Sequence, residues 1–194
     1  MIKSILENIV YTYYPKGISN IDERDKYLKS LEFSRLFAIT DNFHENRNNI
    51  DNYTALISEF KKYNWIKKIQ DVSLLHWQDR ALTFEIEYLE NNKLIKLCVN
   101  ISLLIPYYVI YVLENEIQID PYKWITLPKR NKKLETTKYS EHIALISLII
   151  KNITKFNLFP EDLANVILPD LSFKDIRMGD FTFFNAFFLD DNKL

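Results

Sequence analysis

Leu82, Phe84, Ile86 and Tyr88 alternate with Thr83, Glu85 and Glu87, the two-residue period of a strand that lays one face against a core. Asn91 and Asn92 follow. If these two residues form the turn of a hairpin, Tyr88 stands opposite Ile95, Ile86 opposite Leu97, Phe84 opposite Val99 and Leu82 opposite Ile101, so every pair on that face is apolar. The other face then sets Glu87 opposite Lys96, Glu85 opposite Cys98 and Thr83 opposite Asn100. A slip by one residue spoils both faces together, which makes the register strongly specified.

Neighbouring segments extend this hairpin. Val72 to Trp77 reads as a preceding strand, joined through Gln78, Asp79 and Arg80. Tyr107 to Leu113, after Pro106, reads as a following strand, and the four make an antiparallel meander. The last strand is apolar on both faces, so it is either covered on both sides or partly exposed for a partner. The apolar run Leu94 to Leu113 contains Lys96, Asn100 and Pro106, a mixture that suits two strands rather than a membrane span.

Helices flank the meander. Ile2, Ile5, Leu6, Ile9, Val10 and Tyr13 follow helical spacing up to Pro15,. A second helix opens on Asp22, Glu23 and Asp25, acids placed at its positive end, and is expected to carry Leu28, Leu31, Leu36, Ile39 and Phe43 inward. A polar break at Glu45 to Asn52 precedes a third helix on Tyr53, Leu56, Ile57 and Phe60,. After a basic loop at Lys129 to Lys138, a long helix is expected from Tyr139 to Phe156, with His142, Ile146, Ile149, Ile150 and Ile153 on one face. Pro160 then starts a short helix with Glu161 and Asp162 in its first turn. The fold class is therefore α+β: N-terminal helices, a central antiparallel meander of about four strands, a long C-terminal helix and a packed tail. With no repeat or linker in view, residues 1–194 read as a single domain,.

Composition narrows the chemistry. The chain has two glycines in 194 residues, where an average share of about 7% predicts roughly fourteen. Phosphate-cradling loops, dinucleotide fingerprints and nucleophile elbows need several glycines at fixed spacing, so those classes are excluded. Twenty-five Lys and Arg against 26 Asp and Glu leave a net charge of −1; no global field recruits nucleic acid or an anionic membrane. Cys98 is the single cysteine, which fits a reducing compartment and a cytoplasmic location. Three histidines without paired spacing suggest no transition-metal site, and no cofactor is expected.

Two sets of residues stand out as candidate sites. His76, Asp79, Glu85 and Glu87 are the constellation for a small hydrolase or transferase, with two carboxylates on one strand face and a histidine beside an aspartate. The plainer reading pairs Glu87 with Lys96 as a cross-strand ion pair on a solvated face. Cys98 in mid-strand reads as a small packed side chain rather than a nucleophile. The second set is an interface. Tyr107, Tyr108 and Tyr111 offer large contact area at low entropic cost, and Asp22 and Glu23, with the tail acids Asp190 and Asp191, suit a basic partner.

Both glycines sit in distinctive surroundings: Tyr13, Tyr14, Pro15, Lys16, Gly17, Ile18 near one end, and Met178, Gly179, Asp180, Phe181, Thr182, Phe183, Phe184, Asn185, Ala186, Phe187, Phe188, Leu189, Asp190 near the other. Together with the run from Ile105 to Glu114 they make the chain resemble a Bacteroidetes-type family of similar length, whose members are in turn similar to immunity proteins of polymorphic toxin systems. The resemblance spans nearly the whole chain and transfers no catalytic residue. It implies a protein that neutralises a cognate protein toxin by tight stoichiometric binding, without enzymatic activity. The chain is then expected to be a monomer or weak homodimer, free of nucleic acid and membrane.

Overall fold

The computed structural model describes residues 2–45, 47–75, 79–90, 93–116, 132–133 and 140–190. In chain order its elements are helices α1 (Ile2–Tyr13), α2 (Arg24–Leu28), α3 (Leu31–Asp41) and α4 (Arg47–Phe60), strands β1 (Lys68–Asp71), β2 (Ala81–Glu90), β3 (Lys93–Ser102), β4 (Tyr107–Glu116) and β5 (Lys132–Lys133), helix α5 (Ser140–Thr154), strand β6 (Asn157–Leu158), and helices α6 (Glu161–Ala164) and α7 (Phe183–Phe187). A 3₁₀ turn over Asn42–Glu45 joins α3 to α4.

The central hairpin forms in the register that its two faces require. Leu82 pairs with Ile101, Phe84 with Val99, Ile86 with Leu97 and Tyr88 with Ile95, while Glu87 pairs with Lys96 on the reverse face. The turn residues Asn91 and Asn92 lie outside the described residues. β1 to β4 run antiparallel in sequence order, and β5 continues the sheet from the far end of β4. β6 pairs with the start of β4 in parallel, which makes the sheet mixed.

Four boundaries differ from the sequence reading. The first strand is Lys68–Asp71; Val72–Leu75 of the expected Val72 to Trp77 are not strand, although the Val72 N–H still donates to the Thr83 carbonyl at 2.9 Å, and His76 and Trp77 lie outside the described residues. The second helix is two helices, because Ser30 caps α3 by accepting the Phe33 N–H, and Leu28 and Leu31 then face solvent instead of the core,. The third helix begins earlier, at Arg47, inside the expected polar break. The long helix expected over 139–156 is a 15-residue helix, Ser140–Thr154. It stops where the Thr154 hydroxyl takes the Phe156 N–H and Lys155 adopts a φ of 63°.

Both faces of the sheet are covered. On one, Phe84, Ile86, Leu97, Val99 and Ile110 pack against Leu56 and Phe60 of α4 and Ile146, Ile149 and Ile150 of α5. On the other, Ala81, Cys98, Val109 and Tyr111 meet Leu6 and Val10 of α1 together with Phe184, Phe187 and Phe188 of the C-terminal segment. This double cover explains why β4 is apolar on both faces from Tyr107 to Leu113. Tyr108 is 3% exposed toward the first core and Tyr111 is 5% exposed toward the second. The aromatic tail expected to pack does so, with Phe181, Phe183, Phe184, Phe187 and Phe188 all buried. Among the described residues no helix is long and apolar enough to cross a membrane.

The two glycines are used for conformation. Gly17 has φ 69° and Gly179 φ 90°, and a Cβ on either would meet nothing within 4 Å, so the constraint is the left-handed backbone rather than space. Gly17 also donates its N–H to the Asp170 carbonyl at 2.9 Å, stitching the end of α1 to the C-terminal segment. Replacing Gly17 by Ala is expected to lower unfolding stability by about 1–2 kcal/mol, measured by urea denaturation; an unchanged midpoint would show that this turn relaxes without cost.

Candidate functional site

The polar row on the second face of the sheet is an ion triad. Lys96 on β3 donates to Glu85 at 2.6 Å and to Glu87 at 3.0 Å, both on β2, and all three side chains are mostly buried. Partial burial alone would lower the Lys96 ammonium, but the two carboxylates outweigh it and hold the group above its ordinary range. The face expected to be solvated is therefore largely covered, and its carboxylates neutralise a lysine between them. Next in the row come Cys98, Asn100 and Thr83, all buried.

A second charged group sits at the entry to β2. Arg80 is 0% exposed. Its Nη2 donates to the Asn185 carbonyl at 2.5 Å and pairs with Asp190 at 2.6 Å, while the guanidinium carbon lies 4.7 Å from the centre of the Phe173 ring. Lys174 reaches the other oxygen of Asp190 at 2.6 Å and approaches Asp79 at 3.8 Å. The Leu74 N–H donates to Asp79 at 3.0 Å. Two cations and two carboxylates thus form one neutral group, with one face of the guanidinium against an aromatic ring.

Burial pushes the Asp79 carboxyl up, over the opposing pull of the Leu74 N–H, Arg80 and Lys174. Burial acts the same way on Asp190, but there the Arg80 and Lys174 cations prevail and hold the carboxyl below its usual range. Tyr14 and Tyr27 complete the surroundings: their hydroxyls donate to the Ala186 carbonyl at 2.7 Å and the Ser172 carbonyl at 3.0 Å. Burial raises both phenols, so each remains a donor.

The third feature is a surface. Residues 19–31 form a rigid knuckle whose underside is anchored by buried Tyr27 and by the Asn20 N–H, which donates to Ser172 Oγ at 2.7 Å. Its outer side presents Ile21 (42% exposed), Leu28 (41%) and Leu31 (61%), beside exposed Asp22, Glu23 and Asp25. Ser19 holds the acids in place: its hydroxyl donates to Asp22 at 2.7 Å, and its N–H donates to Glu23 at 3.4 Å. A hydrogen bond from Lys26 keeps the Glu23 carboxyl below the ordinary range.

These positions sort the candidate residues. Glu85 and Glu87 are together, bridged by Lys96, but Asp79 belongs to the Arg80 group, and the strand from Ala81 to Glu85 alone spans about 13 Å. His76 lies outside the described residues, as does Asp191. Asp22 and Glu23 are at the surface. Tyr108 and Tyr111 are core residues, whereas Tyr107 is half-buried and packs edge-on against Phe159 at 5.6 Å. His142 is held between Trp65 and Tyr88, with ring centres 4.4 and 4.6 Å away. Among the described residues no group of three or more His, Cys, Asp or Glu side chains is arranged to hold a metal ion. Sequence reasoning missed the Arg80 group and the outward turn of Leu28 and Leu31; Ser30, a strong N-cap residue inside the supposed single helix, was the available signal for the latter. No family model, curated protein or solved structure is significantly similar to the chain.

Removing one partner of the Arg80 group leaves a fully buried cation short of its counter-charge. Asp190→Asn is expected to cost toward the lower end of about 3–5 kcal/mol, since Asp190 keeps some solvent contact,. The pH dependence separates the two acids. The lowered carboxyl of Asp190 contributes stability that is present above the unfolded value near 3.8 and is lost as pH falls through its folded pKa,. The raised carboxyl of Asp79 has the opposite sign: its contribution is full below 3.8 and is lost as pH rises through its folded pKa,. Urea midpoints over a pH series should show Asp190→Asn flattening the acid limb and Asp79→Asn flattening the limb above it; identical profiles for wild type and both variants would refute the assignment.

Proposed function

We propose that this protein is a non-enzymatic binding protein that neutralises a cognate bacterial toxin by stoichiometric contact, in the manner of an immunity protein. The observation that carries the reading is the knuckle at residues 19–31. Three exposed large aliphatic side chains and three exposed acids fall within residues 19–31, a stretch anchored to the C-terminal segment through Tyr27 and Ser172. A preorganised surface of this kind loses little entropy on binding. Exposed aliphatics supply apolar contact area, and the acids supply orientation toward a basic partner.

The resemblance of the two glycine neighbourhoods and of the Ile105 to Glu114 run to the immunity-like family supports the same reading. The internal charges support it in a different way. The Lys96 triad and the Arg80 group spend their polarity within the fold, whereas the knuckle directs its polar and apolar groups outward. Occlusion of a toxin's working surface then requires only that this face and its neighbours be complementary.

Capture of a partner from lysate of the source organism, followed by expression of that partner alone and together with this protein, tests the reading. The expected result is a one-to-one complex whose partner arrests growth alone and not in co-expression. The double substitution Leu28→Asp and Leu31→Asp, both at exposed positions, should weaken capture at least tenfold, equivalent to about 1.4 kcal/mol, with an unchanged thermal midpoint. Glu85→Gln, in the sheet-face triad, should leave capture unchanged. Turnover of a small substrate by purified protein, abolished by Glu85→Gln, would overturn the proposal.

A further inference from the structure

A recess of about 100 Å³ opens between α3, the 3₁₀ turn that follows it, α4 and the end of β3. Its walls are Ile39, Phe43, Leu56, Leu82, Ile101 and Phe156. Among the described residues no charged side chain lines it. The three hydroxyl oxygens of the described lining residues all take part in hydrogen bonds elsewhere. Ser102 Oγ accepts the Leu104 and Ile105 N–H groups, Thr154 Oγ1 donates to the Ile150 carbonyl and accepts the Phe156 N–H, and Tyr53 donates to Asp71 at 2.8 Å. Burial and the Asp71 carboxylate push the Tyr53 phenol up to about 12, so it stays committed as a donor.

What remains for a guest is an apolar chamber, the Ser102 O–H, whose oxygen only accepts in the bonds above, and one polar side chain,. That side chain is Asn52, which contributes to the lining from an exposed position on α4 and has no hydrogen-bond partner among the described residues. An apolar cavity of about 150 Å³ stays dry and takes up benzene, so the volume here limits the guest to about one ring. A charged guest is disfavoured, since its desolvation would go uncompensated by any counter-charge in the walls.

We propose that this recess binds a small neutral molecule consisting of a single ring or short hydrocarbon chain with one hydrogen-bonding end group, the apolar part in the chamber and the end group on the Asn52 carboxamide. The site is independent of the partner surface at residues 19–31. Ile39 and Phe43, at the end of α3 and just beyond it, form one wall, and Asn52, Tyr53 and Leu56 of α4 form another. A guest therefore bridges two helices that otherwise meet through a short turn, and tightens their packing.

Phenol, toluene and benzoate are the probes, each titrated against the full chain by thermal shift and calorimetry. Phenol should bind saturably and raise Tm by about 3–6 °C at ten times its Kd. Toluene should bind about 2- to 10-fold more weakly for want of the hydrogen bond, and benzoate should not bind. Asn52→Ala should remove the advantage of phenol and leave toluene unchanged. Ile39→Phe should abolish binding of both while preserving or raising Tm, because the ring fills vacant volume; Leu103, which also lines the recess, offers Leu103→Phe for the same purpose should the first variant fold poorly. Absence of saturation, binding of phenol undiminished in a folded filled variant, or benzoate binding as well as phenol would each overturn the proposal.

Discussion

A guanidinium with no solvent contact is costly to bury, and the arrangement around Arg80 is what makes that burial tolerable in this fold. Its partners come from far along the chain: the Asn185 carbonyl, the Asp190 carboxylate and the Phe173 ring. Because Arg80 leads directly into β2, these bonds tie the C-terminal segment to the strand that carries the central hairpin. The second face of the sheet is then covered by the chain's own end. Without that cover, Ala81, Cys98, Val109 and Tyr111 would face water together with the phenylalanines that now pack on them, and an apolar surface of that extent invites association.

The same region gathers the N-terminal helices. Tyr14 and Tyr27 reach the carbonyls of Ala186 and Ser172, and the N–H of Gly17 reaches that of Asp170. Each bond joins residues more than 140 positions apart. The front and back of the sequence thus form one layer against the sheet, and the middle helices α4 and α5 form the other. In this layer the tyrosine hydroxyls end on backbone carbonyls of the C-terminal segment, as buried phenols require. The knuckle at residues 19–31 inherits its rigidity from this layer, since Tyr27 is one of its buried anchors.

Much of the sheet was legible in the sequence, and the reason is periodic. In residues 82–101 the alternation constrains two faces at once, so a single register satisfied it, and that register is observed. Tyr107 to Leu113 left two readings open, cover on both sides or exposure to a partner, because an apolar strand looks the same in either case; the structure selects cover. Helix limits were less legible. Leu28 and Leu31 fit a continuing apolar stripe, and only the capping bond from Phe33 to Ser30 reveals that the chain breaks there. The Arg80 group could not be read at all: arginine, lysine and two aspartates scattered over 112 positions carry no period, and only tertiary closure brings them together.

The division between inward and outward chemistry bears on where function resides. Ion groups that satisfy themselves inside a fold stabilise or specify it, and they are poor places to seek a contact with another molecule, because any partner must first displace a bond already made. By that criterion the Lys96 triad and the Arg80 group belong to the architecture. The knuckle differs in kind. Its aliphatic side chains stand in water over a backbone tied to the C-terminal segment through Asn20 and Tyr27. If this surface is the contact that we propose, the inward anchoring of Tyr27 holds Ile21, Leu28 and Leu31 outward before any partner arrives and so lowers the entropy lost on binding,.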